Sequence, residues 1–299
     1  MGFFTAQLIS ALKLGSIYAL IAIGYSIVYS IMGMINFAHG ELLMIATFAA
    51  WVLINAGLPF GIAVILAIII TVIFGVLIER IAYRPIRNAG ESTQIITSLA
   101  VSIFLEAVCQ AVFNSSAKAL IIPSFFSNTI KFTAFGTNIT VTVIDLVTFG
   151  MTILLTVIVA LIINKTKIGC AMRAVEDNPE AADLMGIDRN KVITVAFIIG
   201  STLAAVAGIL YAGKYTSFSY DMGFMLGVKA FIAAVLGGLG SLTGAVAGGF
   251  LMAILEVFFS GYLHGGIGAY QTTFTFLVLI VVLLFRPNGL FGSSRRKRS

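Results

Sequence analysis

The chain has 299 residues, of which 60% are hydrophobic and only 10% are charged, and its mean hydropathy is +1.08. About a quarter of the residues of a soluble domain are charged, so this composition excludes one. The apolar stretches are continuous, for example over residues 61–78 and 192–210, whereas the strands of a transmembrane barrel alternate polar and apolar residues. At roughly 20 residues per span, we predict an all-α polytopic membrane protein with about eight transmembrane helices in the lipid bilayer.

Eight apolar runs predict these helices in chain order. They cover residues 15–31, 42–55, 61–78, 95–113, 141–163, 192–211, 228–259 and 272–285. The seventh run is too long for one span and too short for two, and several glycines interrupt it. We expect a tight hairpin or a re-entrant pair of half-helices there. A second broken region follows the first run, and such breaks inside a membrane are typical of transporters.

Three charged segments predict which loops face the cytoplasm. They cover residues 79–91, residues 164–191 and the C-terminal tail 286–299, and they hold most of the basic residues. By the positive-inside rule these segments are cytoplasmic, and the weakly charged stretches 114–140, 213–227 and 260–270 lie outside. The net charge of +6 then reflects the orientation of the chain in the membrane and a contact of the tail with anionic lipid, and it does not indicate nucleic-acid binding.

The number of crossings leaves two alternatives open. Three apolar runs precede the first basic segment, so either the N-terminus lies outside or one of these runs does not cross fully. Residue 213 is predicted to lie outside and residue 286 in the cytoplasm, so the chain must cross the membrane an odd number of times between them. Only two apolar runs are present there.

A polar insert separates the first two runs. Asn36, His39 and Glu41 are costly in hydrocarbon and must face protein or water. Asn36 can cap the following helix while His39 and Glu41 bond backbone groups at the break, or these side chains can contact a substrate in its pathway. We expect no metal site, because the other histidine, His264, lies in a loop without clustered carboxylates or thiols.

The segment 164–191 contains the signals of a short helix. Asn178 can cap its N-terminus and Pro179 suits the first helical position. Glu180 then lies near the positive end of the helix dipole, and Gly186 can end the helix in a left-handed conformation. Acidic and basic residues balance here, which favours a surface that docks on a partner over an ordinary capped loop helix.

Residues 180–186, Glu-Ala-Ala-x-x-x-Gly, resemble the coupling motif of permeases in bacterial ABC importers. Residues 15–24 and 34–41 look like the LivH-type permease of branched-chain amino-acid importers. The same likeness extends over residues 172–179, 204–208, 235–249 and 286–292. It covers essentially the whole chain, residues 1–299, as a single transmembrane permease domain.

This resemblance implies an ABC importer permease architecture in the bacterial plasma (inner) membrane, with residues 164–191 as the cytoplasmic coupling loop. The coupling residues would be Arg173, Glu176, Asp177, Glu180, Ala181, Ala182 and Gly186. The implied partners are a second, LivM-like permease, two cytoplasmic ATPase subunits and an extracytoplasmic binding protein that delivers leucine, isoleucine or valine. The family also includes permeases for urea, short amides and other amino acids.

The chain itself is not expected to be an enzyme. No catalytic constellation or cofactor motif is present, and residues 208–214 imitate a phosphate-binding loop only up to the lysine, since Tyr215 replaces the Ser or Thr that magnesium needs. ATP and Mg²⁺ would therefore be bound by the partner ATPase subunits.

Two further patterns concern packing. Gly240, Gly244 and Gly248 form a ladder of small residues that predicts close helix packing, either on the partner permease or inside this chain. Glu106, Asp145 and Glu256 lie in or beside apolar runs. We expect Asp145 to reach water at an outer helix end, and Glu106 and Glu256 to pair with Lys229 or with hydroxyl groups. The alternatives are an ion-coupled secondary transporter that uses these carboxylates, or a channel-like facilitator.

Overall fold

The computed structural model describes residues 2–134, 137–262, 270–286 and 289–291. The helices are α1 (Gly2–Met32), α2 (His39–Asn55), α3 (Phe60–Ile78), α4 (Glu91–Phe113), α5 (Ser124–Ser127), α6 (Val143–Lys165), α7 (Lys167–Asp177), α8 (Pro179–Leu184), α9 (Arg189–Tyr215), α10 (Met222–Gly237), α11 (Leu242–Tyr262) and α12 (Gln271–Phe285), with a π-helical turn at Glu79–Tyr83. Six of these helices, α1, α3, α4, α6, α9 and α11, are long and apolar enough to cross a membrane, and α2 and α10 are shorter apolar helices. His264 and most of the tail 286–299 lie outside the described residues.

The first two charged segments lie together at one end of the bundle, which we call the basic end. There the Arg87 guanidinium donates to the Asn190 side chain over 2.8 Å and pairs with Glu79 at 3.3 Å. At the opposite end, strand β1 (Lys118–Ala119) pairs with strand β4 (Ser217–Phe218). The two sets of segments that were assigned to opposite sides by their charge are therefore at opposite ends of the bundle.

The order of the helices agrees with one alternative at each point where the number of crossings was left open. Helix α1 begins at the end opposite the basic end, where Phe3 packs edge-on against Tyr262. The long apolar run is divided by a tight turn at residues 238–241 into α10 and α11, as the hairpin alternative predicted. With α12, three helices follow residue 213, which satisfies the odd count. With α12, whose sequence is also apolar, the described residues contain nine apolar helices; the predicted count of about eight differs by one because the seventh run forms two of them.

The core is built on α1 and α9, and other helices surround it. Gly15 and Gly249 let α1 and α11 approach closely, since a Cβ on Gly249 would lie 2.6 Å from the Ala19 Cα atom. Helices α3, α4 and α6 instead expose large apolar side chains, for example Phe104 at 64% and Ile65 at 60%. These exposed faces are suited to lipid.

A β-hairpin was not predicted. Strand β2 (Thr129–Ala134) pairs antiparallel with strand β3 (Thr137–Thr142), in the register Thr129 opposite Thr142. Three of the six residues of β2 and five of the six of β3 are threonine, isoleucine or valine, and such β-branched residues favour extended structure. The all-α class therefore holds for the membrane helices, whereas the segment before α6 forms a small sheet.

Candidate functional site

The polar insert lies inside the bundle, between the end of α1 and the start of α2. Gly33 has a φ of +71°, which ends α1 in a left-handed conformation. Asn36, His39 and Glu41 are 3%, 1% and 0% exposed, so all three face protein as their cost in hydrocarbon requires.

Asn36 does not cap α2. The N-cap residue is Ala38 and no side chain caps this helix. The Asn36 side-chain oxygen instead accepts a hydrogen bond of 2.6 Å from the Tyr83 hydroxyl, which is fully buried in the π-helical turn. The prediction was wrong because it considered only neighbouring backbone, whereas a tyrosine 47 residues away supplies the partner.

His39 packs edge-on against Tyr25, with ring centroids 4.6 Å apart. Gly24 provides the space for its ring, because a Cβ there would lie 2.6 Å from the His39 Nε2 atom. This Nε2 atom has no hydrogen-bond partner among the described residues. His39 was expected to bond backbone groups at the break between the two helices, and its Nε2 atom does not form such a bond.

Glu41 bonds a side chain and not the backbone. Its Oε1 atom accepts a hydrogen bond of 2.8 Å from the Ser102 hydroxyl on α4. Its Oε2 atom is buried and has no partner within the described part of the chain. Sequence reasoning missed Ser102; the signal was a polar residue every four positions along α4, namely Gln94, Ser98, Ser102, Glu106 and Gln110.

Glycines form a close seam between α2 and α10. A Cβ on Gly40 would lie 2.3 Å from the Gly223 carbonyl oxygen, and one on Gly227 would lie 2.8 Å from the Gly40 Cα atom. Only glycine permits this approach, which brings α10 directly against the first turn of α2.

The predicted short helix in residues 164–191 is confirmed as α8. The Asn178 side chain accepts a 3.0 Å hydrogen bond from the Ala181 backbone N–H, and Pro179 occupies the first helical position. Gly186 has a φ of +81°, which confirms the prediction that it follows the helix end in a left-handed conformation. Ala182 is buried, whereas Glu180 and Ala181 are exposed.

Two apolar side chains at the end of α8 were missed. Leu184 is 89% exposed and Met185 is 82% exposed. They stand in a segment of charged residues, where lipid does not account for them. A contiguous apolar patch with a polar rim is typical of an interaction surface. We call Glu180, Ala181, Leu184, Met185 and Gly186 the docking surface.

Helix α7 connects the docking surface to the bundle. The Arg173 guanidinium donates to the Ile163 carbonyl oxygen at the end of α6. Glu176 lines, with Arg173 and Ser30, a cavity of about 250 Å³ beside α1, and Asp177 is the last residue of α7. These predicted coupling residues therefore lie behind the docking surface, between it and the membrane helices.

Asp188 begins the next connection, into α9. It caps the helix by accepting hydrogen bonds from the backbone N–H groups of Asn190 and Lys191. The Lys191 N–H bond is the main reason that the pKa of this exposed carboxyl is lowered below its usual value.

The glycine ladder is divided between a turn and a helix. Gly244 and Gly248 face α10, where a Cβ on Gly248 would lie 2.0 Å from the Ala233 carbonyl oxygen. Gly240 differs from the prediction, because it lies in the turn before α11 with a φ of +86°. The packing made by this motif is therefore within the chain.

Two of the other membrane carboxylates, Glu256 and Asp145, form ion pairs. Glu256 pairs with Lys229 and accepts a 2.7 Å hydrogen bond from the Tyr18 hydroxyl. Asp145 does not reach water as expected: it is 5% exposed and pairs with Lys13 at 2.8 Å and Lys214 at 3.9 Å. Pairing of this kind suits helix packing.

The structure also places the remaining features noted in the sequence. Glu106 is half-buried on α4. Residues 208–214 lie within α9 and form helix, not a phosphate-binding loop. Within the described ranges, no group of three or more His, Cys, Asp or Glu side chains could hold a metal ion.

The matches to known proteins extend over nearly the full length of this chain. The family model described as branched-chain amino acid transport system, permease component, matches residues 7–283. A high-affinity branched-chain amino acid transport system permease protein, BraD of Pseudomonas aeruginosa, is 38% identical, and the match covers 96% of this chain and 95% of BraD. The corresponding LivH proteins of Salmonella typhimurium and Escherichia coli are 39% and 38% identical, covering 97% of this chain and 96% of each relative. No solved structure matches the chain.

Proposed function

This chain belongs to the family of permease components of branched-chain amino acid transport systems, and from that membership we propose that it is a permease subunit of an ABC importer for leucine, isoleucine and valine. The chain supplies the transmembrane pathway and part of the coupling surface. The hydrolysis of ATP, with its Mg²⁺, takes place on separate ATPase subunits.

The docking surface is the observation that carries this proposal. It lies at the basic end, exposes Leu184 and Met185, and is formed by a capped helix that α7 connects to the membrane helices. Such a surface fits the groove of a soluble partner at the membrane. Burial of its exposed apolar residues would stabilise the complex, and the surrounding charges would fix the position of the two proteins relative to each other. An ion-coupled transporter or a facilitator has no need of it.

We propose four partners around this chain: a second, LivM-like permease that forms a heterodimer with it, two ATPase subunits at the basic end, and an amino-acid-binding protein at the opposite end. In this arrangement the basic end faces the cytoplasm of a bacterial inner membrane, which follows the positive-inside rule. The N-terminus then lies outside.

The polar insert belongs to the substrate pathway. Leucine is a zwitterion, so its transit needs polar groups inside the bundle. Asn36, His39 and Glu41 are the buried polar groups at the break between α1 and α2, and broken helices are where transporters bind substrates.

Reconstitution into proteoliposomes tests the function. The chain is combined with its neighbouring permease, ATPase and binding-protein gene products, and uptake of radioactive leucine, isoleucine, valine, urea and acetamide is measured. We expect uptake of the three branched-chain amino acids that requires ATP inside the vesicles and persists when proton and sodium gradients are collapsed. Uptake of urea or acetamide alone would assign the chain to another substrate of the family, and uptake driven by a gradient without ATP would contradict the proposal.

The polar insert is tested separately with Asn36→Leu. This change removes the acceptor of the Tyr83 hydroxyl. We expect impaired uptake while the ATPase subunits still co-purify with the permease. Uptake at the wild-type rate would exclude a role for the insert in the pathway.

A further inference from the structure

Two buried oxygen atoms face the α2–α10 seam without hydrogen-bond partners among the described residues. They are the Glu41 Oε2 atom and the Tyr25 hydroxyl, on residues that are 0% and 3% exposed. Buried acceptors are paired in the great majority of cases, so two at one place indicate a missing donor.

Both oxygens face the same turn of α10. A Cβ on Gly223 would lie 2.4 Å from Glu41 Oε2, and a Cβ on Gly227 would lie 3.2 Å from the Tyr25 oxygen. Gly223 and Gly227 are one helical turn apart, so the carboxylate and the hydroxyl are presented side by side to one face of α10. In the present conformation this face closes over them.

A series of carboxylates connects this position with the surface. Asp221, just before α10, is exposed; Glu106, on the polar stripe of α4, is half-buried; Glu41 is fully buried. Glu106 and Asp221 each act electrostatically on Glu41, and Asp221 acts on Glu106. Negative charge of this kind attracts a cation inward from the end opposite the basic end.

We propose that Glu41 and Tyr25 form a transient binding site for the ammonium group of the transported amino acid, which opens when α10 separates from α2 at the glycine seam. An ammonium group carries three N–H donors and no acceptor, so it satisfies Glu41 Oε2 and the Tyr25 oxygen together. Asp221 and Glu106 guide it there. This inference rests on the proposed function and adds the group of the substrate that is recognised inside the membrane.

An ammonium group fits better than a metal ion. The described residues contain no cluster of three or more potential metal ligands, and Glu41 with Tyr25 offers too few strong ligands for a divalent cation. Ser102 keeps the Glu41 carboxylate in place from the other side by its hydrogen bond to Oε1, which leaves Oε2 for the ligand.

The test uses the complete reconstituted importer, with leucine uptake and ATP hydrolysis measured in the same vesicles. Wild-type vesicles come first: without ATP-dependent leucine uptake the proposed function itself fails. In Glu41→Gln we expect leucine uptake to fall by about tenfold or more, the effect of losing one charge-assisted hydrogen bond, while ATP hydrolysis stimulated by the binding protein stays within about twofold. Tyr25→Phe should reduce uptake less. Ser201→Ala, which removes another buried hydroxyl without a partner in the described chain, is the matched control and should not change uptake.

Two analogues separate ammonium recognition from a structural role. 3-Methylbutylamine keeps the ammonium group of leucine without the carboxylate, and 4-methylpentanoate keeps the carboxylate without the ammonium. We expect the amine to inhibit wild-type leucine uptake more strongly than the acid, and Glu41→Gln to lose this difference. Wild-type uptake in both Glu41→Gln and Tyr25→Phe, or equal inhibition of Glu41→Gln and wild type by the amine, would overturn the proposal.

Discussion

The exposed leucine at the end of α8 allows a quantitative test of the docking surface. Leu184 is 89% exposed, so replacing it with alanine removes almost no packing within this chain and leaves its stability unchanged. Burial of a leucine side chain contributes about 1.5–3 kcal/mol. If an ATPase groove buries Leu184, then Leu184→Ala weakens ATPase binding by roughly 10- to 150-fold.

Binding of the purified ATPase to the permease heterodimer in lipid nanodiscs measures this change, with a melting curve of each variant to check stability. Leu161→Ala is the matched control, because Leu161 is 52% exposed on the apolar surface of α6, which is suited to lipid. We expect binding to weaken only in Leu184→Ala. Binding within twofold of wild type would refute the assignment of this surface to an ATPase.

Three further predictions concern the ends of the bundle. Gly186→Leu should insert normally, because no atom lies within 4 Å of an added Cβ and the strain of a left-handed leucine costs only about 1–2 kcal/mol, yet it should lose the coupling of ATP hydrolysis to uptake. Gly57→Leu, also at positive φ in open space but at the opposite end, should retain coupling, and equal uptake by both variants would contradict this prediction. Asp145→Asn should lower the melting temperature in detergent, since it leaves two largely buried lysines without their charged partner at a cost of about 1–3 kcal/mol; an unchanged melting temperature would contradict the stabilising role of these pairs. In a cysteine-free background, cysteine at Asn88 should react only from the cytoplasm and cysteine at Ser127 only from outside, and labelling of both from one side would exclude the proposed orientation.

The membrane helices could be predicted from the sequence because lipid imposes a simple requirement. Long apolar runs form helices, and charges collect in the connections. The α8 helix was also predictable, because its cap at Asn178, the proline after it and Gly186 are all local signals. The exposed Leu184 was not identified, since in such an apolar chain one more leucine carries no signal until its exposure is known.

The interior of the candidate site could not be predicted in the same way. Asn36 bonds Tyr83 and Glu41 bonds Ser102, and each pair joins segments whose relative position is set by packing of the whole bundle. Asp145 illustrates the same limit: its position near a helix end suggested contact with water, whereas Lys13 and Lys214 converge on it.

The close packing of α1 on α11 has a consequence for biosynthesis. Residues that meet along α1 are far apart in sequence: Tyr18 bonds Glu256 of α11 across 238 residues, and the Gly240 N–H, in the turn before α11, bonds the Ser26 hydroxyl across 214. At about 5–20 residues per second, a ribosome needs roughly 10–50 seconds to make the chain between such partners. For that time the first helix is in the bilayer with its glycine face uncovered and the Tyr18 hydroxyl without its carboxylate. The backbone N–H groups of Leu290 and Phe291 then bond the end of α10, and a chain that stops before α11 leaves one face of its first helix uncovered.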